Sequence, residues 1–159
     1  SFLRRGGHSR PVKQYCNIVG RRTMLQHTWA RVEMLIPRER VLTVVGAGHD
    51  EVFADHLTER RMGTVLTQPA NRETAPGTLL PLAHVLHADP GAVVGVFPSD
   101  HFVLEENRFM AHVWAASNAV RRGPYDVVVL GASASRADPD YGWIDVEHAP
   151  EVTGALGVR

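Results

Sequence analysis

VVGVFPSDH, residues 93 to 101, reads as an apolar strand, Val93 to Phe97, that breaks at a Pro-Ser-Asp-His turn. An apolar run without polar alternation is the pattern of a strand covered on both faces. The turn then sets the carboxylate of Asp100 at the strand's carboxyl end, which is where open α/β sheets bind their ligands. QPANRETAP, residues 68 to 76, has the same grammar: a strand from Thr64 to Gln68, a polar turn around Asn71 and Arg72, and a helix opening at Thr74 with Pro76 just inside it. Two such turns side by side predict a polar pocket with one carboxylate and one guanidinium.

Further apolar runs lie at Val41 to Val45, Val65 to Leu66 and Val127 to Leu130. Helix-like stretches at about 23 to 35, 49 to 61, 77 to 88 and 105 to 122 fall between them. This alternation predicts an α/β fold: a Rossmann-like, mostly parallel sheet flanked by helices and joined by right-handed crossovers. Thr23 is placed to cap the first helix, where Leu25, Trp29, Val32 and Leu35 or Ile36 recur at helical spacing before Pro37 stops it. The last helix carries acids in its first turn and Arg121-Arg122 in its last, as the macrodipole favours, and Gly123-Pro124 ends it. Pro81, inside the 77 to 88 stretch, predicts a late start or a kink.

With 159 residues, 44% hydrophobic and 21% charged, the chain suits one globular domain with an ordinary core. No apolar run approaches the ~20 residues of a membrane span, and no apolar leader is visible. The expectation is a cytoplasmic protein with no membrane partner. The single Cys16 excludes an internal disulfide framework and a multi-cysteine zinc site. Net charge is zero, yet Arg4, Arg5, Arg10, Lys13, Arg21, Arg22 and Arg31 precede the first acid, 7 of the 17 basic residues. Such a segment suits an anionic ligand or a solvated loop. Nucleic acid is not expected as a partner, since 7% aromatics and a neutral chain offer no long basic stripe with stacking platforms.

QPANRETAP and FPSDH, preceded by KQY (Lys13 to Tyr15) and followed by DYGWI (Asp140 to Ile144), resemble the sugar-nucleotide pyrophosphorylases, most closely the mannose-1-phosphate guanylyltransferases. The four motifs match in order and spacing over roughly residues 11 to 144. The resemblance implies the nucleotide-diphospho-sugar transferase fold, with residues 1 to 159 as a partial catalytic domain, incomplete at both ends. In the family a first strand and a GGxGTR-type loop come before the position of Ser1, and Gly6-Gly7 do not stand in for that loop. The implied reaction takes GTP and mannose 1-phosphate to GDP-mannose and pyrophosphate by Mg²⁺-dependent direct displacement.

That chemistry brings two polyanions together, so it requires a metal, basic side chains and backbone donors. Asp100 is the candidate Mg²⁺ ligand and catalytic carboxylate. A hard carboxylate suits Mg²⁺, which is held by one or two carboxylates plus substrate phosphates, and the resemblance implies the same role, with a second aspartate beyond Arg159. The alternative reading is that Asp100 caps the following turn or helix. Lys13, in RPVKQY, matches the lysine of the family's PKQ motif that meets the phosphates, although Val12 intervenes between Pro11 and Lys13. Gln68, Asn71 and Arg72 are candidates to read the base, because amides offer paired donors and acceptors, and the helix start at Thr74 directs amides toward anionic groups. Asn71 by itself also suits a turn. Tyr141 and Gly142 match the family element that borders the sugar, and are also readable as a hairpin turn with core aromatics.

Weaker signals complete the survey. Gly46-Ala47-Gly48 follows a strand, but Glu51 stands at the third glycine position of a dinucleotide fingerprint. His49-Asp50 with Asp55-His56 suggests either a metal phosphohydrolase or a solvated helix face. Cys16 reads as a core residue. The rivals to the leading function are a nucleotidyltransferase of the same fold with another base or sugar, and a noncatalytic nucleotide-binding module.

Overall fold

The computed structural model describes residues 13–48, 63–70, 74–133, 136–139 and 142–145. Helix α1, Met24–Val32, begins at a complete capping box. The Thr23 hydroxyl accepts from the Gln26 N–H at 3.3 Å and the Gln26 side chain accepts from the Thr23 N–H at 2.9 Å. Two donors that no helical carbonyl can reach are thereby satisfied. Met24, Leu25, Thr28, Trp29 and Val32 form its buried face, spaced as an amphipathic helix requires. The helix closes three residues short of the expected end. Leu35 and Ile36 instead donate to the Val32 carbonyl at 3.1 and 2.9 Å, in a terminal turn ahead of Pro37.

Strands β1, Leu42–Gly46, and β2, Thr64–Gln68, pair in parallel from Leu42↔Thr64 to Gly46↔Gln68. The Ala47 N–H extends the ladder to the Gln68 carbonyl at 2.9 Å. Leu25 and Trp29 of α1 pack with Val45 to form the core, with Tyr15, Val41 and Val65 against it. Trp29 buries its ring and donates its indole N–H to the Thr43 hydroxyl at 3.0 Å, so the polar edge of the largest core side chain is satisfied. Gly48 has φ +88°, a left-handed turn that explains a glycine just after β1 without any dinucleotide fingerprint.

Two expected strands are corrected by the structure. Val93 to Phe97 and Val127 to Leu130 carry no strand pairing, and Val96 and Val127 are 64% and 77% exposed. Apolar β-branched residues mark a preference, whereas a strand exists only where a neighbour takes up its N–H and C=O groups. The sheet among the described residues is therefore the parallel pair alone. The expected helix at 49 to 61 lies outside the described residues.

Helix α2, Thr74–Ala88, opens where QPANRETAP predicts, with Pro76 in its first turn. Pro81 does not delay it, and the helix runs through the proline. Helix α3, Glu106–Arg122, carries Glu106 in its first turn and Arg121 and Arg122 in its last. It ends as Gly123 donates to the Ala119 carbonyl at 2.8 Å. The chain divides into two compact units, Ser1–Met110 and Ala111–Arg159. In the second, Trp143 donates its indole N–H to the Asp138 carbonyl at 3.1 Å. No helix among the described residues is long and apolar enough to cross a membrane.

Two substitutions measure these contacts in chemical denaturation. Thr23→Ala removes the capping box and is expected to cost about 1 kcal/mol. Trp29→Ala empties the core centre and is expected to cost about 3–5 kcal/mol.

Candidate functional site

Asp100 lies in the turn predicted from FPSDH, with its side chain 48% exposed. His101 Nε2 stands 4.0 Å from Asp100 Oδ1, an ion pair only when the imidazole is protonated. Among the described residues, no three His, Cys, Asp or Glu side chains converge as a metal cluster. A closed zinc-type cage is therefore not formed there. One hard, solvent-accessible carboxylate does fit a Mg²⁺ ion that takes its remaining oxygens from water and from ligand phosphates.

The turn is held from an unexpected direction. Because Val93 to Phe97 joins no ladder, a strand end does not fix Asp100. Arg31, on the buried face of α1, instead reaches the backbone next to it. Its guanidinium is 2% exposed, and Nη2 donates to the His101 carbonyl at 3.3 Å and to the Thr28 hydroxyl at 3.2 Å. Nη1 donates to Glu106 Oε1 at 3.4 Å, at the start of α3. The same guanidinium lies 5.6 Å over the centroid of the Phe109 ring, and Phe97 meets that ring edge-on at 6.5 Å. Phe97 and Glu106 thus bracket the Asp100 turn, and both refer back to one arginine.

Burial pushes the Arg31 pKa below its ordinary value, and the Glu106 carboxylate opposes that shift through charge and a hydrogen bond. The group stays cationic at neutral pH. Counting Arg31 with a basic segment open to an anionic ligand or solvent is corrected by this arrangement, since its charge is engaged inside the protein. Arg21 and Arg22, by contrast, are exposed. Sequence reading missed Arg31 although a signal was present. It occupies the apolar stripe of α1, seven residues after Met24 and three after Thr28.

Gln68, the last residue of β2, meets the start of α2. Its carboxamide Oε1 lies 3.5 Å from where a Cβ on Gly77 would stand, an ordinary contact distance. Gln68 Nε2 is buried and has no partner among the described residues. A buried amide donor without an acceptor is costly unless a ligand or water supplies one. Thr74 is exposed at the first turn of α2, so Gln68 and Thr74 flank the segment between strand and helix. Asn71 and Arg72, expected in that segment, lie outside the described residues.

Lys13 opens a 3₁₀ turn, Lys13–Tyr15, and is exposed. The turn is seated on α1: Cys16 donates to the Lys13 carbonyl at 3.1 Å and accepts from the Met24 N–H at 3.2 Å, while Tyr15 packs on the core. Gly142, in the second unit, has open space where a Cβ would sit. Tyr141 lies outside the described residues, as do His49, Asp50, Asp55 and His56.

The chain has measurable likeness to curated proteins. Xanthan biosynthesis protein XanB of Xanthomonas campestris pv. campestris is 28% identical over 149 residues, 92% of this chain and 31% of that protein. Mannose-1-phosphate guanylyltransferase 2 of Escherichia coli O157:H7 is 27% identical over 137 residues, 84% of this chain and 28% of that protein. Mannose-1-phosphate guanylyltransferase RfbM of Salmonella typhimurium is 28% identical over 138 residues, 83% and 28% respectively. The chain is a distant homologue of the mannose-1-phosphate guanylyltransferases. It spans less than a third of the length of these relatives. No family model matches it, and no solved structure matches it.

The Gln68 seat yields a test by substitution. Gly77→Ala places a methyl at ordinary contact distance from the Gln68 amide and removes a helix-interior glycine. It is expected to raise stability by about 0.5–1 kcal/mol, read from the denaturation midpoint.

Proposed function

We propose that this chain forms part of the catalytic domain of a sugar-1-phosphate nucleotidyltransferase that joins GTP and mannose 1-phosphate to give GDP-mannose and pyrophosphate. The observation that carries the reading is the homology to mannose-1-phosphate guanylyltransferases across 83–84% of this chain. The geometry supports it at two points. Gln68 offers a buried amide donor with no partner among the described residues beside the start of α2, suited to an acceptor on a nucleotide base. Asp100 offers an accessible hard carboxylate on a turn anchored at both sides.

In this reading an oxygen of the sugar phosphate attacks the α-phosphorus of GTP. A new P–O bond forms there, the bond to the β-phosphate oxygen breaks, and pyrophosphate leaves with the electron pair. No covalent enzyme intermediate is required. Asp100 would hold Mg²⁺, which when bound offsets the charge of the two approaching phosphates. Lys13 places a mobile ammonium on the phosphates and offsets the charge that develops on them. Gln68, with Asn71 and Arg72, orients the base. The amides at the Thr74 end of α2 face anionic groups, and Tyr141 and Gly142 border the sugar. The setting implied is the cytoplasm, the partners are small molecules, and residues 1 to 159 supply part of one domain.

The experiment is Mg²⁺-dependent pyrophosphate release by the complete reading frame that carries these residues, with four nucleoside triphosphates crossed against mannose, glucose and N-acetylglucosamine 1-phosphates. Release confined to GTP with mannose 1-phosphate is the expected result. Another productive pair keeps the chemistry and changes the substrate, and no release from any pair in folded protein moves the function to nucleotide binding without catalysis. Asp100→Asn is expected to abolish Mg²⁺-dependent turnover with an unchanged circular dichroism spectrum, and Lys13→Met to lower kcat by about 10²-fold.

A further inference from the structure

We propose that Arg31 is the positioning residue of the Asp100 turn: by holding the His101 carbonyl, the Glu106 carboxylate and the Phe109 ring at once, its buried guanidinium sets where the Asp100 carboxylate stands. The proposal rests on the reading of Asp100 as the metal ligand.

A charge on the buried face of a helix is unfavourable unless its surroundings repay the lost hydration, and an apolar residue of similar volume would often serve stability as well. Packing therefore gives no reason for an arginine here. What the guanidinium supplies is a rigid planar fork that meets separate acceptors in fixed directions, which a lysine ammonium cannot reproduce. The acceptors it meets from α3 and the Asp100 turn are remote in sequence, 70 residues away at His101 and 75 at Glu106. The remaining contact, to Thr28, lies one turn back on its own helix and steadies the head group.

The contacts fall on both sides of the carboxylate. His101, whose carbonyl is held, is the next residue after Asp100. Phe97, three residues before Asp100, abuts the same Phe109 ring that lies beneath the guanidinium. Glu106 then fixes the point at which the loop becomes α3. Arg31 Nε is buried and has no partner among the described residues. Its hydrogen bonding is thus spent on the Nη edge toward the turn.

The test measures metal binding apart from turnover, in the complete reading frame. Free Mn²⁺ is titrated by electron paramagnetic resonance in the presence of GTP, for wild type, Arg31→Lys and Asp100→Asn. Arg31→Lys keeps the charge and loses the fork, so the Mn²⁺ dissociation constant is expected to rise about tenfold, the lower range for loss of a group that supports a metal ligand. Amide exchange at residues 99 to 106 is expected to speed up about tenfold, while amides of α1 and the strand pair keep their protection, which a general loss of stability would not leave intact. Wild-type Mn²⁺ affinity in Arg31→Lys, with binding weakened in Asp100→Asn, overturns the role of Arg31 and leaves the metal reading standing. Unchanged Mn²⁺ binding in Asp100→Asn overturns the metal reading and the proposal with it. If Arg31→Lys does not fold, Glu106→Gln decides: weakened Mn²⁺ binding supports the proposal and wild-type binding overturns it.

Discussion

Trp29 packs with Leu25 and Val45 and donates its indole N–H to Thr43, and through this contact α1 is fixed on the parallel pair. The dependence extends both ways along the chain. Tyr15, behind the turn that carries Lys13, packs on the same cluster. Arg31, two residues after Trp29 on the same helix, inherits its position from that seat and passes it on to His101, Glu106 and Phe109. A shift of α1 on the strands would therefore move both the lysine turn and the aspartate turn, because interiors packed at crystal-like density transmit displacements.

The buried face of α1 thus carries an apolar half and a cationic half. The apolar half follows ordinary economy, since burying a large side chain is worth roughly 1.5–3 kcal/mol. The cationic half runs against it, and its cost is moderated by the Glu106 charge and by two neutral oxygens from Thr28 and His101. A buried charge whose attachments beyond its own helix go to one loop and the head of another helix favours a single arrangement of that loop over its neighbours.

Gln68 shows a second kind of constraint. The parallel register ends at Gly46↔Gln68, so the carboxamide stands at the strand's carboxyl end, beside Gly77 of α2. Its amide donor, buried without an acceptor among the described residues, departs from the usual satisfaction of interior polar groups. The chain is a distant homologue of the mannose-1-phosphate guanylyltransferases and spans less than a third of the length of those relatives.

Much of the local structure was legible in the amino-acid order, because capping, turn and periodicity rules act over a few residues. Thr23 with Gln26, the helix opening at Thr74, the end of α3 at Gly123 and the strand from Thr64 to Gln68 all belong to this class. The motifs around QPANRETAP and FPSDH likewise sufficed to indicate the family. What the sequence could not determine was pairing. Val93 to Phe97 and Val127 to Leu130 have the composition of strands, yet a strand depends on a partner's backbone groups, and no ladder forms there among the described residues. Nor could it determine that Arg31 is a buried, internally bonded residue rather than a surface charge. That outcome required α1 to sit on β1 and present its cationic half to residues 70 and more positions later, a juxtaposition made only by tertiary packing.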